Sequence, residues 1–588
     1  MRVWERQRGN SRLPAIAAAL LIAAASALLL FSGRGNWFIL DELSFATDRA
    51  DLTTGTIFGP QNQNCVATLV LIYRAMFELF GFSDYLPWRL LLTALVAGIG
   101  VLAYLYARKR IGPWWALLPL ALITVTPGFE IALWPFQMGQ ALSVLCGLAV
   151  LVLLDREPSW PIRAAIAVLL LVAVASSSAG VPLVAIFIYD RVQRPDRRGD
   201  LVAALPAVVF YAWWYLEWAR REPTPTKATV EAIAGSVNRA YTFANSAMDQ
   251  LLGLGGRGFT GVLVAQVAVA LLAVAVAWRV FGPYRTGRVR VVALVAGLAT
   301  YWVLLAWGRA YVPGVESASR YIFLSQVLLV LLIVEVAAPV GAAITDARER
   351  GRHFAVPIAA VAAVAITLVT ASAVRYNSKS ERLFGAMQRN NATDIRGQVY
   401  GLALLEPPNR QAATIFLAPG SAIPRPAAGY FAALERFGEQ PATERDVLAL
   451  PASGRYRVDQ ALLGFYAPPT PATTPLPERP PAPMVLSTTP QPTKLRRRAA
   501  CLGFRGPRAG PATIELPGSP QGIVVKNTSA QPLAFKGRRY APDWEGPARF
   551  EIPPMASVPV RLPRDRGTRP WRVQVVGQAG EVCSLKQP

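Results

Sequence analysis

The chain is 588 residues long, 53% hydrophobic and only 16% charged, with a mean hydropathy of +0.34. Soluble domains carry about a quarter charged residues, so a single water-soluble fold is excluded. The formal net charge of +24 would suggest a nucleic-acid partner only if it formed one basic face, whereas Lys and Arg on alternate loops orient membrane helices.

The first apolar run, Leu13 to Phe31, follows Arg2, Arg6, Arg8 and Arg12. It is as long as a bilayer is thick and lacks a small-residue cleavage site before Gly35, so it reads as a signal anchor running from inside to outside. Residues 33–64 then form a polar outer loop. Val66 to Phe82 carries Arg74 and Glu78 four residues apart, which suits a helix lying at the membrane interface. Leu86 to Ala107 crosses back and stops at Arg108, Lys109 and Arg110. Further spans are expected at 113–128, 133–154, 161–178, 179–190, 201–219, 259–280, 290–308, 320–343 and 354–373. The turns assigned inside hold Arg156 and Arg163, then Arg191, Arg194, Arg197 and Arg198, then Arg285, Arg288 and Arg290, then Arg348, Arg350 and Arg352. This is the positive-inside pattern, and it leaves no basic face for nucleic acid. In the longer outer loop 220–258, Val230, Ile233, Val237, Tyr241, Ala244, Met248 and Leu251 recur at helical spacing. Trp213, Trp214 and Trp218 just before it form an aromatic belt.

The composition changes after residue 374. Residues 375–466 mix strand-like and helix-like runs, 467–498 read as a Pro/Thr-rich extended linker, and 499–588 alternate short β-prone runs with Gly/Pro turns. The last stretch is expected to be a small β-sandwich. The cysteines are Cys65, Cys146, Cys501 and Cys583, and the one histidine is His353, so no short-spaced ligand set for zinc exists. Cys146 lies in an apolar helix as a packing residue. Cys501 and Cys583 bracket the terminal domain, where a disulfide is expected in an oxidising compartment.

Chemistry is expected in the first outer loop. Asp41 and Glu42 stand just beyond the first membrane helix, "GPQNQNC" precedes the interfacial helix, and "ELFGFSDYLPWRL" leads into the second span. "ESASRYIFL" later begins a span from its outer end at Arg320 and Tyr321. Over roughly residues 13–375, this order of elements resembles the GT-C superfamily of integral membrane glycosyltransferases, including the polyprenyl-phosphate-sugar-dependent mannosyl- and arabinosyltransferase-like branches. The resemblance implies that Asp41, with Glu42 as the adjacent candidate, acts as general base on an acceptor hydroxyl, because a sugar hydroxyl is a poor nucleophile. The departing lipid phosphate needs positive charge, and Arg89 and Arg320 near the outer surface are the candidates. Both also suit the plainer role of snorkelling anchors. Glu130, beside Trp134 and Gln137, faces the same region or forms an ordinary interfacial turn. Asp48 and Asp51 read as loop solvation.

Related sequences often carry "HNEH" where this chain has Gln61, Asn62, Gln63 and Asn64. Amides can contact sugar hydroxyls, but they neither transfer protons at neutral pH nor bind divalent metals well. This departure speaks against a metal-assisted mechanism and leaves open a chain that has lost activity. Trp544, Tyr540 and Trp571 suit a sugar-stacking surface or, by preference, the core of the sandwich.

The expected whole is an α-helical polytopic membrane protein of GT-C-like fold, with about eleven transmembrane helices over residues 1–374. An extracytoplasmic mixed region and a small all-β domain follow. The chain would sit in the plasma membrane with its N-terminus cytoplasmic. Its partners would be membrane lipid, a polyprenyl-phosphate-linked sugar and an envelope glycan, lipid or protein acceptor. A non-catalytic scaffold of the cell envelope is the main rival. A lipid or polysaccharide transporter is weaker, because the spans hold few charges and no inverted repeat is evident.

Overall fold

The computed structural model describes residues 12–584 apart from 125–127, 222–229, 255–257, 284–286, 309–317, 350–354, 406–412, 417–423, 467–483, 492–493, 499, 509, 518–521, 545–548, 561 and 563–565. The chain divides into two units. The first comprises Met1–Asn36, Arg49–Phe80 and Asp84–Met387, and the second Trp37–Asp48, Gly81–Ser83 and Gln388–Pro588.

The chain begins with α1 (Arg12–Ser32), α2 (Asp41–Thr47), α3 (Thr54–Phe58), α4 (Ala67–Phe80) and α5 (Leu86–Ile111). α6 (Leu117–Thr124), α7 (Phe129–Leu133), α8 (Met138–Leu153), α9 (Trp160–Ser176), α10 (Gly180–Val192) and α11 (Leu205–Glu217) follow. The helical part ends with α12 (Val230–Leu252), α13 (Gly258–Phe281), α14 (Arg288–Gly308), α15 (Ser319–Glu349) and α16 (Ala355–Ala403). All but α2 and the end of α16 belong to the first unit. α5 shows how the sequence sets its bounds. Pro87 sits in the first turn, where its missing N–H costs nothing. Arg108, Lys109 and Arg110 close the last turn, and Gly112 at φ 88° turns the chain away.

Among the described residues, seven segments are long and apolar enough to cross a membrane: Arg12–Ser32, Leu86–Ile111, Pro135–Leu153, Pro195–Arg221, Gly258–Phe281, Arg288–Ala306 and Ser319–Pro339. This makes an α-helical polytopic membrane fold, with fewer such segments than the about eleven expected. The differences have local causes. Among the described residues of the run at 113–128, eight are helical, in α6, about 12 Å of helix and short of a bilayer. α10, with 13 residues, spans only about 20 Å. α9 is apolar but has 17 residues. The side chains over 355–370 of α16 lie outside the described residues.

Besides α2 and the end of α16, the described residues of the second unit form three helices, Ala427–Arg436, Glu444–Ala449 and Ala452–Tyr466, and twelve strands. β1 (Thr414–Phe416) pairs with β2 (Pro424–Pro426). The others are β3 (Ser487–Thr489), β4 (Lys494–Arg498), β5 (Cys501–Arg505), β6 (Ala512–Pro517), β7 (Ile523–Asn527), β8 (Leu533–Arg538), β9 (Arg549–Ile552), β10 (Ser557–Val560), β11 (Arg572–Gly577) and β12 (Ala579–Ser584). They form two antiparallel sheets, ordered β10-β7-β12-β5-β4 and β3-β6-β11-β8-β9. Strict alternation makes the core: in β6, Ala512, Ile514 and Leu516 are buried and their neighbours are not. The strands begin earlier than expected. β3 and β4 arise from what read as linker, because Thr and Arg fit an edge strand that prolines confine to one partner.

Segments from the first loop complete this unit. Phe82 packs edge-on against Phe38 and lies 5.9 Å, centroid to centroid, from both Tyr430 and Phe437. The Glu439 carboxylate accepts from the backbone N–H of Phe82 at 3.0 Å and of Ser83 at 3.3 Å, and the Trp37 indole donates to the Phe82 carbonyl.

Candidate functional site

The acidic pair opens α2, and its two members face different surroundings. Leu40, at φ 49°, turns the chain sharply into the helix. The Glu42 side chain is fully buried, and its Oε2 accepts from the backbone N–H of Ile39 at 3.2 Å, closing that turn. Asp41 is half-buried. Glu42 thus fixes the backbone that presents Asp41. Both lie in the second unit, whereas the sequence alone grouped them with the transmembrane region.

The remaining candidates belong to the first unit, most of them at one end of its helices. Arg320, in the first turn of α15, is bound by Glu130 of α7: the guanidinium pairs with the carboxylate, and Oε2 accepts from the Arg320 backbone N–H at 3.0 Å and from the Ser319 hydroxyl at 3.2 Å. The Ser319 hydroxyl in turn accepts from the Glu130 backbone N–H at 3.1 Å. Gly128, at φ 81°, permits this approach, since a Cβ there would stand 3.1 Å from that of Ser319. Glu130, expected as a substrate contact or an interfacial turn, holds Arg320.

On the other side of α7, the Asn36 amide donates to the Leu133 carbonyl at 3.4 Å, and the Arg89 guanidinium packs against Gly33. Here polar atoms are left over. Arg89 Nη2, Asn36 Oδ1 and Trp134 Nε1 are buried with no hydrogen-bond partner among the described residues. Leaving such groups unpaired is costly. Arg89 is the better anion-binding candidate of the two arginines.

The amide segment makes a tight turn. Gln61 and Asn64 form a two-residue bridge across Asn62 and Gln63, whose φ values are 49° and 62°. The buried Arg49 guanidinium donates to the carbonyls of Thr56, Gly59 and Pro60 at 2.7–2.9 Å and to the Gln61 side chain at 3.1 Å. Gln61 is thereby spent on holding the loop. Among the described residues, no group of three or more His, Cys, Asp or Glu is arranged to hold a metal ion.

Sequence reasoning missed an ionic chain at the opposite end of these helices. Glu335 pairs with Arg110, which grips both oxygens of Asp155 at 3.1 Å. Asp155 meets Arg290 at 3.6 Å, and Arg290 binds Asp190 at 2.9 Å. Arg191 links Asp190 to Asp200 at 3.6 and 3.7 Å, and Arg163 closes on Asp200 at 2.7 Å. Asp190 and Arg290 are only 0 and 3% exposed. From sequence alone these arginines read as orientation anchors. The available signal was an acid, Asp155, Asp190 or Asp200, beside each basic turn.

In the second unit, Tyr540 and Trp571 are core residues, 1 and 4% exposed. Trp544 is half-exposed, with the Arg538 guanidinium 4.5 Å from its ring centre, and lines a shallow pocket with Tyr456, Asp459, Lys536 and Asp543. Asp459 accepts from the backbone N–H groups of Arg539, Tyr540 and Ala541 at 2.9–3.1 Å. Burial pushes its carboxyl up to about 6 despite these bonds. Cys501 and Cys583 are disulfide-bonded across paired positions of β5 and β12.

No family model matches the chain, and no curated protein matches it. Among solved structures, the chain is similar to the crystal structure of ArnT from Cupriavidus metallidurans bound to undecaprenyl phosphate, with a TM-score of 0.40 and 16% identity over 65% of this chain and 80% of that one. It is likewise similar to the apo state of the same protein, with a TM-score of 0.41 and 14% identity over 73% of this chain and 90% of that one.

Proposed function

We propose that the chain is an integral membrane glycosyltransferase that takes a sugar from a polyprenyl-phosphate donor and passes it to an envelope glycan, lipid or protein outside the cytoplasm. The observation that carries this reading is the corner formed by Arg89, Asn36 and Trp134. There one guanidinium nitrogen, an indole N–H and an amide oxygen are buried with no hydrogen-bond partner among the described residues. An anionic donor phosphate flanked by sugar hydroxyls matches that set, since the cation and N–H serve phosphate oxygens and the amide serves a hydroxyl. The resemblance of residues 13–375 to GT-C enzymes points the same way.

In this reading Asp41 takes the proton of the acceptor hydroxyl. The new bond from that oxygen to the anomeric carbon forms as the bond from the carbon to the phosphate oxygen breaks. Polyprenyl phosphate leaves with the electron pair, and the anomeric centre inverts. Arg320, neutralised by Glu130, acts by fixing α7 beside Arg89, and Glu42 acts by fixing the turn before Asp41.

The test is purified protein in lipid nanodiscs given radiolabelled polyprenyl-phosphate sugars. Asp41→Asn is expected to lower turnover at least a hundredfold, in line with loss of a general base (on the order of 10²–10⁴), with donor binding retained. Unchanged turnover in Asp41→Asn removes that residue from the mechanism. One observation favours a second reading, a non-catalytic envelope scaffold: the amide segment is a clamped turn with Gln61 engaged by Arg49. Donor binding without turnover on any acceptor preparation would decide for it.

A further inference from the structure

The edge strand β4 carries Lys494, Arg496, Arg497 and Arg498 within five residues, all exposed. Its register with β5 sets Lys494 opposite Arg505, another exposed cation, and places Arg496 opposite Gly503 and Arg498 opposite Cys501. Lys494, Arg496, Arg498 and Arg505 therefore share one face of the sheet. Arg497 sits opposite the buried Leu502, on the face turned toward the core. Among the described residues none of these five cations is in an ion pair.

Edge strands often carry charge to block pairing with other chains, and one inward charge suffices. Arg497 supplies it. The other four are surplus to that purpose, and like charges placed directly opposite one another cost stability. The row is also narrow. Two strands further in, about 10 Å away, the same face is neutral, because Glu581 of β12 is engaged by Lys526 at 3.9 Å. The feature is a line of positive charge, with side chains about 7 Å apart along the strand, rather than a broad plane.

We infer that the β4 edge binds an acidic polysaccharide, whose anionic groups lie along a single extended chain. Guanidinium groups grip carboxylate or phosphate oxygens two at a time, which favours Arg over Lys at such a site. A bilayer surface would call for a wide basic face. The inference is independent of sugar transfer, since binding is read without turnover.

The experiment uses the full chain in nanodiscs of zwitterionic lipid, titrated with oligogalacturonate, with dextran as the neutral control. The wild type is expected to bind oligogalacturonate, more weakly as salt rises, and to ignore dextran. The triple change Lys494→Gln, Arg496→Gln and Arg498→Gln is expected to weaken binding on the order of a hundredfold, at about fivefold per cation. Arg497→Gln should change it little, and thermal unfolding should stay where it was in both. Equal binding by the triple variant overturns the proposal. So does a wild type that ignores oligogalacturonate but floats with vesicles containing phosphatidylglycerol.

Discussion

Glu130 and Arg320 illustrate how one residue pair can be read in two ways. Sequence reads each as a ligand contact or as a plain interfacial residue, and in the structure they form a partly buried ion pair, with side-chain exposures of 9 and 29%. Removing one partner of a buried pair costs about 3–5 kcal/mol, and the exposure of Arg320 argues for the lower end. Glu130→Gln should therefore lower stability by about 3 kcal/mol, visible as a reduced Tm in detergent. Adding Arg320→Gln should restore part of it, and additive losses would dismiss the pairing. Asp459 makes a second prediction. Its folded-state value of about 6 lies above the ordinary value near 3.9. Its contribution to stability is thus full below about pH 4 and is lost as pH rises through about 6, a change of about 2–3 kcal/mol. A Tm that falls across that window in the wild type, but stays level in Asp459→Asn, is the expected result.

At the scale of elements, the ionic chain ties the ends of α5, α8, α10 and α14 to α15 and α9. Asp190 is its most exacting member, facing Arg191, Arg194 and Arg290 together. Asp190→Asn should strand those cations and cost about 3–5 kcal/mol, read as lost thermal stability or failed folding, whereas Glu157→Gln at the exposed fringe should be silent. This chain was hidden from sequence because periodicity reports burial of apolar residues and says nothing of which loops meet. Elements with unbroken apolar runs and charged ends, such as α1 and α5, were legible for the opposite reason. α6 was not, because the apolar residues Trp114, Trp115 and Ala116 before it form turns rather than helix. β4 was misplaced because a single apolar residue, Leu495, between Lys494 and three consecutive arginines carries no alternation. At the site, the types of residue were legible but their division of labour was not. Asp41 and Glu42 are adjacent in sequence, and only the turn at Leu40 separates a buried brace from a half-buried acid.

At the scale of the whole molecule, the basic turns argue for a cytoplasmic N-terminus and an exported C-terminal region. Alkaline phosphatase fused after Ser584 should be active, and the same reporter fused after Arg198 inactive; the reverse pattern would invert the proposed topology. The second unit also has a consequence for handling the protein. Its sequence is discontinuous, since residues 37–48 and 81–83 are woven into it before the bulk arrives after 388. A fragment cut at 388 and secreted alone would lack the phenylalanine that Tyr430 and Phe437 enclose and the amides that Glu439 receives. Such a truncation is expected to aggregate, and supplying residues 37–83 in trans or as a fusion is the remedy that the threading of the chain itself prescribes.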